Sequence, residues 1–103
     1  MKAAKFDYTK TNDVAEALSV LTAEDGDSKV LAGSQSLGPM MNLRLARPDR
    51  LIDIRALDAL KAVTQAPDHL FVGALVTHAA IEDGILPDVT RGMIRHVAAG
   101  IAY

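Results

Sequence analysis

VLAGSQSLGPMMNLRLARP, residues 30–48, changes character twice along its length. Val30 and Leu31 read as the end of a short buried strand. Ala32, Gly33, Ser34, Gln35 and Ser36 follow, mostly small residues at the point where a strand gives out. From Leu37 the period changes: Leu37, Met40, Met41, Leu43 and Leu45 fit one broad helical face better than a strict alternation. Ser36 has the chemistry of an N-cap, and Pro39 falls in the first turn, where a missing N–H costs little. Strand, small-residue turn and helix start together aim free backbone N–H groups and the positive end of a helix dipole at one spot, which favours an anion. Small side chains let a pyrophosphate approach the backbone. Strand-to-helix turns also use Gly and Ser for steric reasons alone, and this one is neither G-x-G-x-x-G nor a Walker A loop. The turn by itself therefore leaves both readings open.

Outward from this stretch, Lys5–Tyr8 reads as a first strand. Asp13 and Glu16 match a capping box, and Val14, Ala17, Leu18 and Leu21 form a stripe that predicts a core-facing helix over 13–24. Lys29–Ala32 is the second strand. Arg47-Pro48 ends the second helix, because the residue before proline avoids the helical region. Leu51–Ile54 is the third strand. This order predicts parallel pairing through right-handed crossovers. Past residue 57 the pattern becomes a short helical turn at Leu57–Leu60 and a hairpin of Ala62–Gln65 with Leu70–Val72. A helix capped by Thr77 comes next, and a last helix opens at Pro87-Asp88 with Val89, Met93, Val97 and Ile101 at helical spacing. The fold class is α/β (α+β).

Half of the 103 residues are hydrophobic, 23% are charged and the net charge is −2, a globular composition without the basic excess of a nucleic-acid binder. There is no cysteine, which excludes disulfides, thiolate catalysis and iron–sulfur ligation by these residues and fits a cytoplasmic location. No run approaches the length of a membrane span. His78 and Glu82 have a spacing that can hold a metal, but two groups do not make a site and a surface pair is the default; no metal ligand is assigned. No G-x-S-x-G elbow surrounds Ser34 or Ser36, so they serve as hydroxyl donors or caps, and no catalytic residue is assigned. Lys29 either neutralises a phosphate or is a solvated lysine.

The wider string LAGSQSLGPMMNLRLARPDRLIDI, residues 31–54, resembles the first flavin-binding segment of the FAD-carrying medium subunit of molybdenum hydroxylases, the xanthine dehydrogenase and carbon monoxide dehydrogenase group. The pattern there is A-G-G-x-S-L, then P-x-x-x-L-R and a strand ending in I-D-I; this chain has Ser34 at the second glycine. KFDY, DVAEALSVL and VGALVTHAAIED extend the resemblance over nearly the whole chain. It implies a PCMH-type FAD-binding fold. Residues 1–56 would be the βαβαβ pyrophosphate-binding subdomain, and residues 57–103 the beginning of a second subdomain. It implies FAD held by Ala32, Gly33, Ser34, Gln35, Ser36 and Leu37, with Thr77 and His78 nearby, and gives the Lys29 charge a phosphate to neutralise if that lysine is not simply solvated. It also implies partners: a small iron–sulfur subunit and a large molybdopterin subunit, electrons passing through FAD to an external acceptor. The family's second flavin segment, of the type Thr-Ile-Gly-Gly, does not occur in these residues, so the expectation is a truncated subunit, inactive alone and prone to self-association. The alternatives are a non-catalytic α/β assembly module or remnant without flavin, and a small phosphate-ligand binder protected by ADP alone. Half of a flavin clamp offers fewer contacts at undiminished entropic cost. Residues 1–103 alone are therefore predicted to bind FAD weakly or undetectably, and stoichiometric yellow protein surviving gel filtration would refute this.

Overall fold

The computed structural model describes residues 2–23, 26–87 and 89–101. The chain divides into two compact units, Met1–Asp58 and Ala59–Tyr103.

The first unit is built on β3 (Arg50–Asp53), flanked in a parallel sheet by β1 (Asp7–Lys10) and β2 (Ser28–Leu31) in the order β1-β3-β2. The register is unbroken: Lys10 and Leu31 both lie opposite Asp53, so the three strands end together at one edge. As the middle strand of a parallel sheet, β3 is covered on both faces. Leu51, Ile52 and Asp53 are all buried, joined in the core by Thr11, Met41 and Leu57. β1 begins two residues later than the periodicity predicts, because Asp7 N–H donates to Asp49 O at 2.8 Å and sets the first rung there.

α1 (Val14–Leu21) joins β1 to β2 and packs over β2 and β3. Its start follows the sequence: Asp13 accepts from Glu16 N–H at 2.7 Å, and Glu16 reaches back to Asn12 N–H at 3.3 Å. The stripe does not. Val14, Leu18 and Leu21 are exposed, while Ala17 and Val20 are half-buried. The helix is apolar nearly all round, so periodicity does not single out the face that meets the sheet. α2 (Leu37–Asn42) is short and stops where Arg44 turns left-handed at φ 58°, with Leu45 N–H returning to Met40 O at 2.8 Å in a Schellman-like closure.

A 3₁₀ turn, Asp58–Lys61, carries the chain from the last residue of the first unit into the second, which continues with the antiparallel hairpin β4 (Val63–Gln65) and β5 (Leu70–Val72). α3 (His78–Glu82) is capped by Thr77, whose Oγ1 accepts from Ala80 N–H at 3.1 Å, as the sequence predicts. α3 and α4 (Met93–Ala99) pack together. α4 starts well after Pro87: Gly92 at φ 89° breaks the chain first, and Thr90 Oγ1 then accepts from Ile94 N–H at 2.9 Å. The expected opening residue Asp88 lies outside the described residues. The stripe Val89, Met93, Val97 and Ile101 is exposed, and Ala98 is the buried position of this helix.

Gly73 is the tightest backbone approach in this unit. A Cβ there would lie 2.2 Å from Leu60 O, beside the bond that Leu75 N–H makes to the same oxygen at 2.8 Å. Gly73→Ala is expected to destabilise the protein by about 2 kcal/mol or more through a main-chain clash that no side-chain rotation relieves. Urea unfolding measures it, and an unchanged midpoint would contradict the packing described.

Candidate functional site

The residues Ala32–Leu37 form one continuous turn at the carboxyl end of β2. Among the described residues, the N–H groups of Gly33, Ser34, Gln35, Ser36 and Leu37 have no acceptor within the chain. The first N–H to find one is that of Gly38, which donates to Ser34 O at 3.1 Å; Met40 N–H then donates to Ser36 O at 3.1 Å. Successive unpaired N–H groups at a strand-to-helix turn make an anion-binding concavity.

The two positions at the centre of the turn have exchanged the roles that their residue types suggest. Gly33 is not left-handed, and a Cβ built on it meets nothing within 4 Å. Neither conformation nor packing inside the chain requires glycine there. Ser34 is left-handed at φ 62°, the region that glycine ordinarily fills. Its hydroxyl lies 3.0 Å from where Gly38 would carry a Cβ, so Gly38 makes room for it.

Ser36 is not the cap that its residue type suggests. It is already helical, at φ −107° and ψ −47°, and makes no side-chain capping bond, because the first turn closes onto Ser34. The dipole contributes less than the sequence implies, since α2 has only 6 residues, under two turns. The attraction for an anion rests on the N–H groups themselves.

Lys29 is exposed within β2, opposite Leu51 and two residues short of the strand end. Thr77 and His78 open α3 in the second unit, where Thr77 is engaged in capping and His78 is exposed. A shallow, open depression of about 520 Å³ in the second unit is lined by Glu82, Asp83, Gly92, Arg95, His96 and Ala99. It contains none of the predicted site residues.

Sequence reading missed a cluster at the end of β3. Asp53 is 2% exposed. Its Oδ1 accepts from Arg55 N–H at 2.9 Å and Arg55 Nε–H at 3.0 Å. Oδ2 accepts from Arg55 Nη2 at 2.8 Å and from the Tyr8 hydroxyl. Thr11 Oγ1 donates to Asp53 O at 2.8 Å. The signal was present in Leu51-Ile52-Asp53-Ile54: a carboxylate inside a buried apolar run demands a partner, and an arginine stands two residues on.

Residues 4–102 match the family described as "FAD binding domain in molybdopterin dehydrogenase". The chain belongs to this family. Caffeine dehydrogenase subunit beta of Pseudomonas sp. (strain CBB1) is 39% identical over 103 residues, the whole of this chain and 35% of that protein. 6-Hydroxypseudooxynicotine dehydrogenase complex subunit alpha of Paenarthrobacter nicotinovorans is 33% identical over the same span, again 35% of its length. The chain thus spans about a third of these relatives. Among solved structures, carbon monoxide dehydrogenase from Hydrogenophaga pseudoflava superposes with a TM-score of 0.91 at 30% identity, over all of this chain and 36% of that one. Quinoline 2-oxidoreductase from Pseudomonas putida 86 gives 0.85 at 34% identity, also over all of this chain and 36% of that one. The α/β fold is therefore that of the FAD-binding domain in molybdenum hydroxylase medium subunits. Among the described residues no helix is long and apolar enough to cross a membrane.

The cluster around Asp53 also sets a pH dependence. The Arg55 hydrogen bonds hold the Asp53 carboxyl well below the ordinary carboxylate range, with help from Tyr8 and against the effect of burial. In acid the unfolded chain therefore takes up a proton before the native one does. The stability that Asp53 confers is complete well above its unfolded value of 3.8 and is lost progressively as pH falls below it. Asp53→Asn should be clearly less stable than wild type at neutral pH, and the gap between their urea midpoints should narrow as pH drops towards about 2.5. A gap independent of pH would show that the carboxylate charge does not matter.

Proposed function

We propose that the chain supplies the pyrophosphate-binding turn for FAD in the medium subunit of a molybdenum hydroxylase. In this reading it passes electrons from iron–sulfur clusters on a small subunit through FAD to an external acceptor. Molybdopterin belongs to a large subunit, and the assembly is cytoplasmic. Family membership supports the cofactor. The observation that carries the site is Gly33: a glycine that no contact or backbone angle within the chain requires, in the middle of a run of unpaired N–H groups.

The residues present fit a diphosphate. The N–H groups from Gly33 to Leu37 donate to its oxygens, and the open space over Gly33 admits it to the main chain. The unengaged hydroxyls of Ser34 and Ser36 can add donors, and Lys29 adds positive charge from within β2. Thr77 and His78 are assigned to the flavin through the VGALVTHAAIED resemblance. Bound FAD supplies the redox chemistry through its ring system, and the residues of this chain bind and orient it. No acid, base or nucleophile is assigned to them.

The test joins these 103 residues to the remaining two thirds of a relative's medium subunit. Gly33→Val should fold, because its side chain enters space that no residue of the chain occupies, yet lose flavin. Ser34→Gly should keep flavin and leave stability unchanged or raised by up to about 1 kcal/mol, since it removes a left-handed non-glycine residue. Flavin absorbance per folded protein after desalting decides between outcomes. Full flavin in Gly33→Val would place the pyrophosphate elsewhere, and a parent subunit without flavin would favour a non-catalytic assembly module.

A further inference from the structure

We propose that Arg55 is a second recognition group beside the turn, a guanidinium held by Asp53 and offered to a phosphate oxygen of the ligand that Gly33–Leu37 takes. The inference rests on reading that turn as a diphosphate site.

The donor and acceptor inventory carries the argument. A carboxylate has about four lone-pair positions, and Asp53 has four partners: three groups of Arg55 and the Tyr8 hydroxyl. Asp53 therefore has no capacity left for a ligand. Arg55 has. Of the five N–H bonds of a guanidinium, Asp53 takes one from Nε and one from Nη2, so three remain, both of those on Nη1 and one on Nη2. The Tyr8 hydroxyl, itself a donor to Asp53, also lies within hydrogen-bond reach of the guanidinium, and the rest of the fork belongs to a side chain that is 63% exposed. One edge of the fork is anchored to a buried carboxylate and the other is open.

Its place in the sheet is the second observation. Lys10, Leu31 and Asp53 end the three strands in register. Ile54 N–H donates to Leu31 O at 3.1 Å, which carries the pairing one residue past the strands. Arg55 thus leaves the sheet alongside the strand from which the turn departs, about 5 Å away across the sheet. Ligands of open parallel sheets lie off this carboxyl edge. Lys29 is two residues short of the edge, whereas Arg55 lies just past it. A guanidinium already fixed by Asp53 has given up its rotamer freedom on folding and loses little more when it meets a phosphate, whose oxygens its planar fork matches.

Titration of the joined subunit, freed of flavin, with inorganic pyrophosphate, followed by ¹⁵N-resolved NMR, tests this directly. The amides of Gly33–Leu37 and the Arg55 Nε–H should shift along one isotherm. Arg55→Gln should weaken binding roughly tenfold, and Arg55→Lys, which keeps the charge and loses the fork, by less. Turn amides that shift while Arg55 Nε–H stays still, with wild-type affinity in Arg55→Gln, would overturn the role of Arg55 and leave the turn site standing. No shift at either place would overturn the turn reading and Arg55 with it. If Arg55→Gln fails to fold, the wild-type isotherms decide alone.

Discussion

A carboxylate that is 2% exposed at the end of a central strand has to be paired, and this requirement governs the first unit. Asp53 draws Tyr8 from β1 and Arg55 from the segment after β3 onto one pair of oxygens, while its main-chain carbonyl takes Thr11 through both N–H and hydroxyl. Apolar packing alone leaves a parallel sheet free to slide, because Ile52 or Leu51 would be equally buried opposite several neighbours. Hydrogen bonds to one carboxylate are not interchangeable in this way. They fix which residues of β1 and β3 end opposite each other, while β2, from which the Ala32–Leu37 turn leaves, takes its register from its own pairing with β3.

The division of labour between Gly33 and Ser34 follows from that turn. The chain reverses into α2 through a left-handed residue, and a serine fills the position at a cost of about 1–2 kcal/mol relative to glycine. Gly38 lowers the cost by leaving space for the serine hydroxyl. The glycine that is present serves no internal need, so its smallness faces outward. Strain that the fold tolerates and openness that the fold does not use occur at adjacent residues, a combination typical of sites that answer to a ligand.

Much of this was legible in the sequence. Element order, parallel pairing, the hairpin, the Asp13 and Thr77 caps and the turn after β2 all follow from spacing and residue type, because each is a local property. The misreadings were of a different kind. The stripes of α1 and α4 are genuine periodicities, yet Leu18 and Val97 are exposed while Val20 and Ala98 turn inward. Periodicity finds an apolar face, and tertiary contact chooses among several. Ser36 looked like a cap because serines cap helices, but where the first turn closes depends on the backbone angle at Ser34, which no residue type encodes. The Asp53 cluster was hidden for the opposite reason: its members lie at residues 8, 11, 53 and 55, and only strand register brings them together.

The donors of the proposed site belong to the main chain, with consequences for how such a site changes over time. A site built from side chains is erased by substituting them. One built from five consecutive amides survives any replacement that preserves the path of the backbone and the open approach at residue 33. Drift is thus constrained by conformation and bulk, not by chemical identity, and lineages can diverge at residues 34 to 36 without abandoning their ligand. The serine at residue 34 contributes the same N–H that a glycine would, so it leaves that array of amides unchanged.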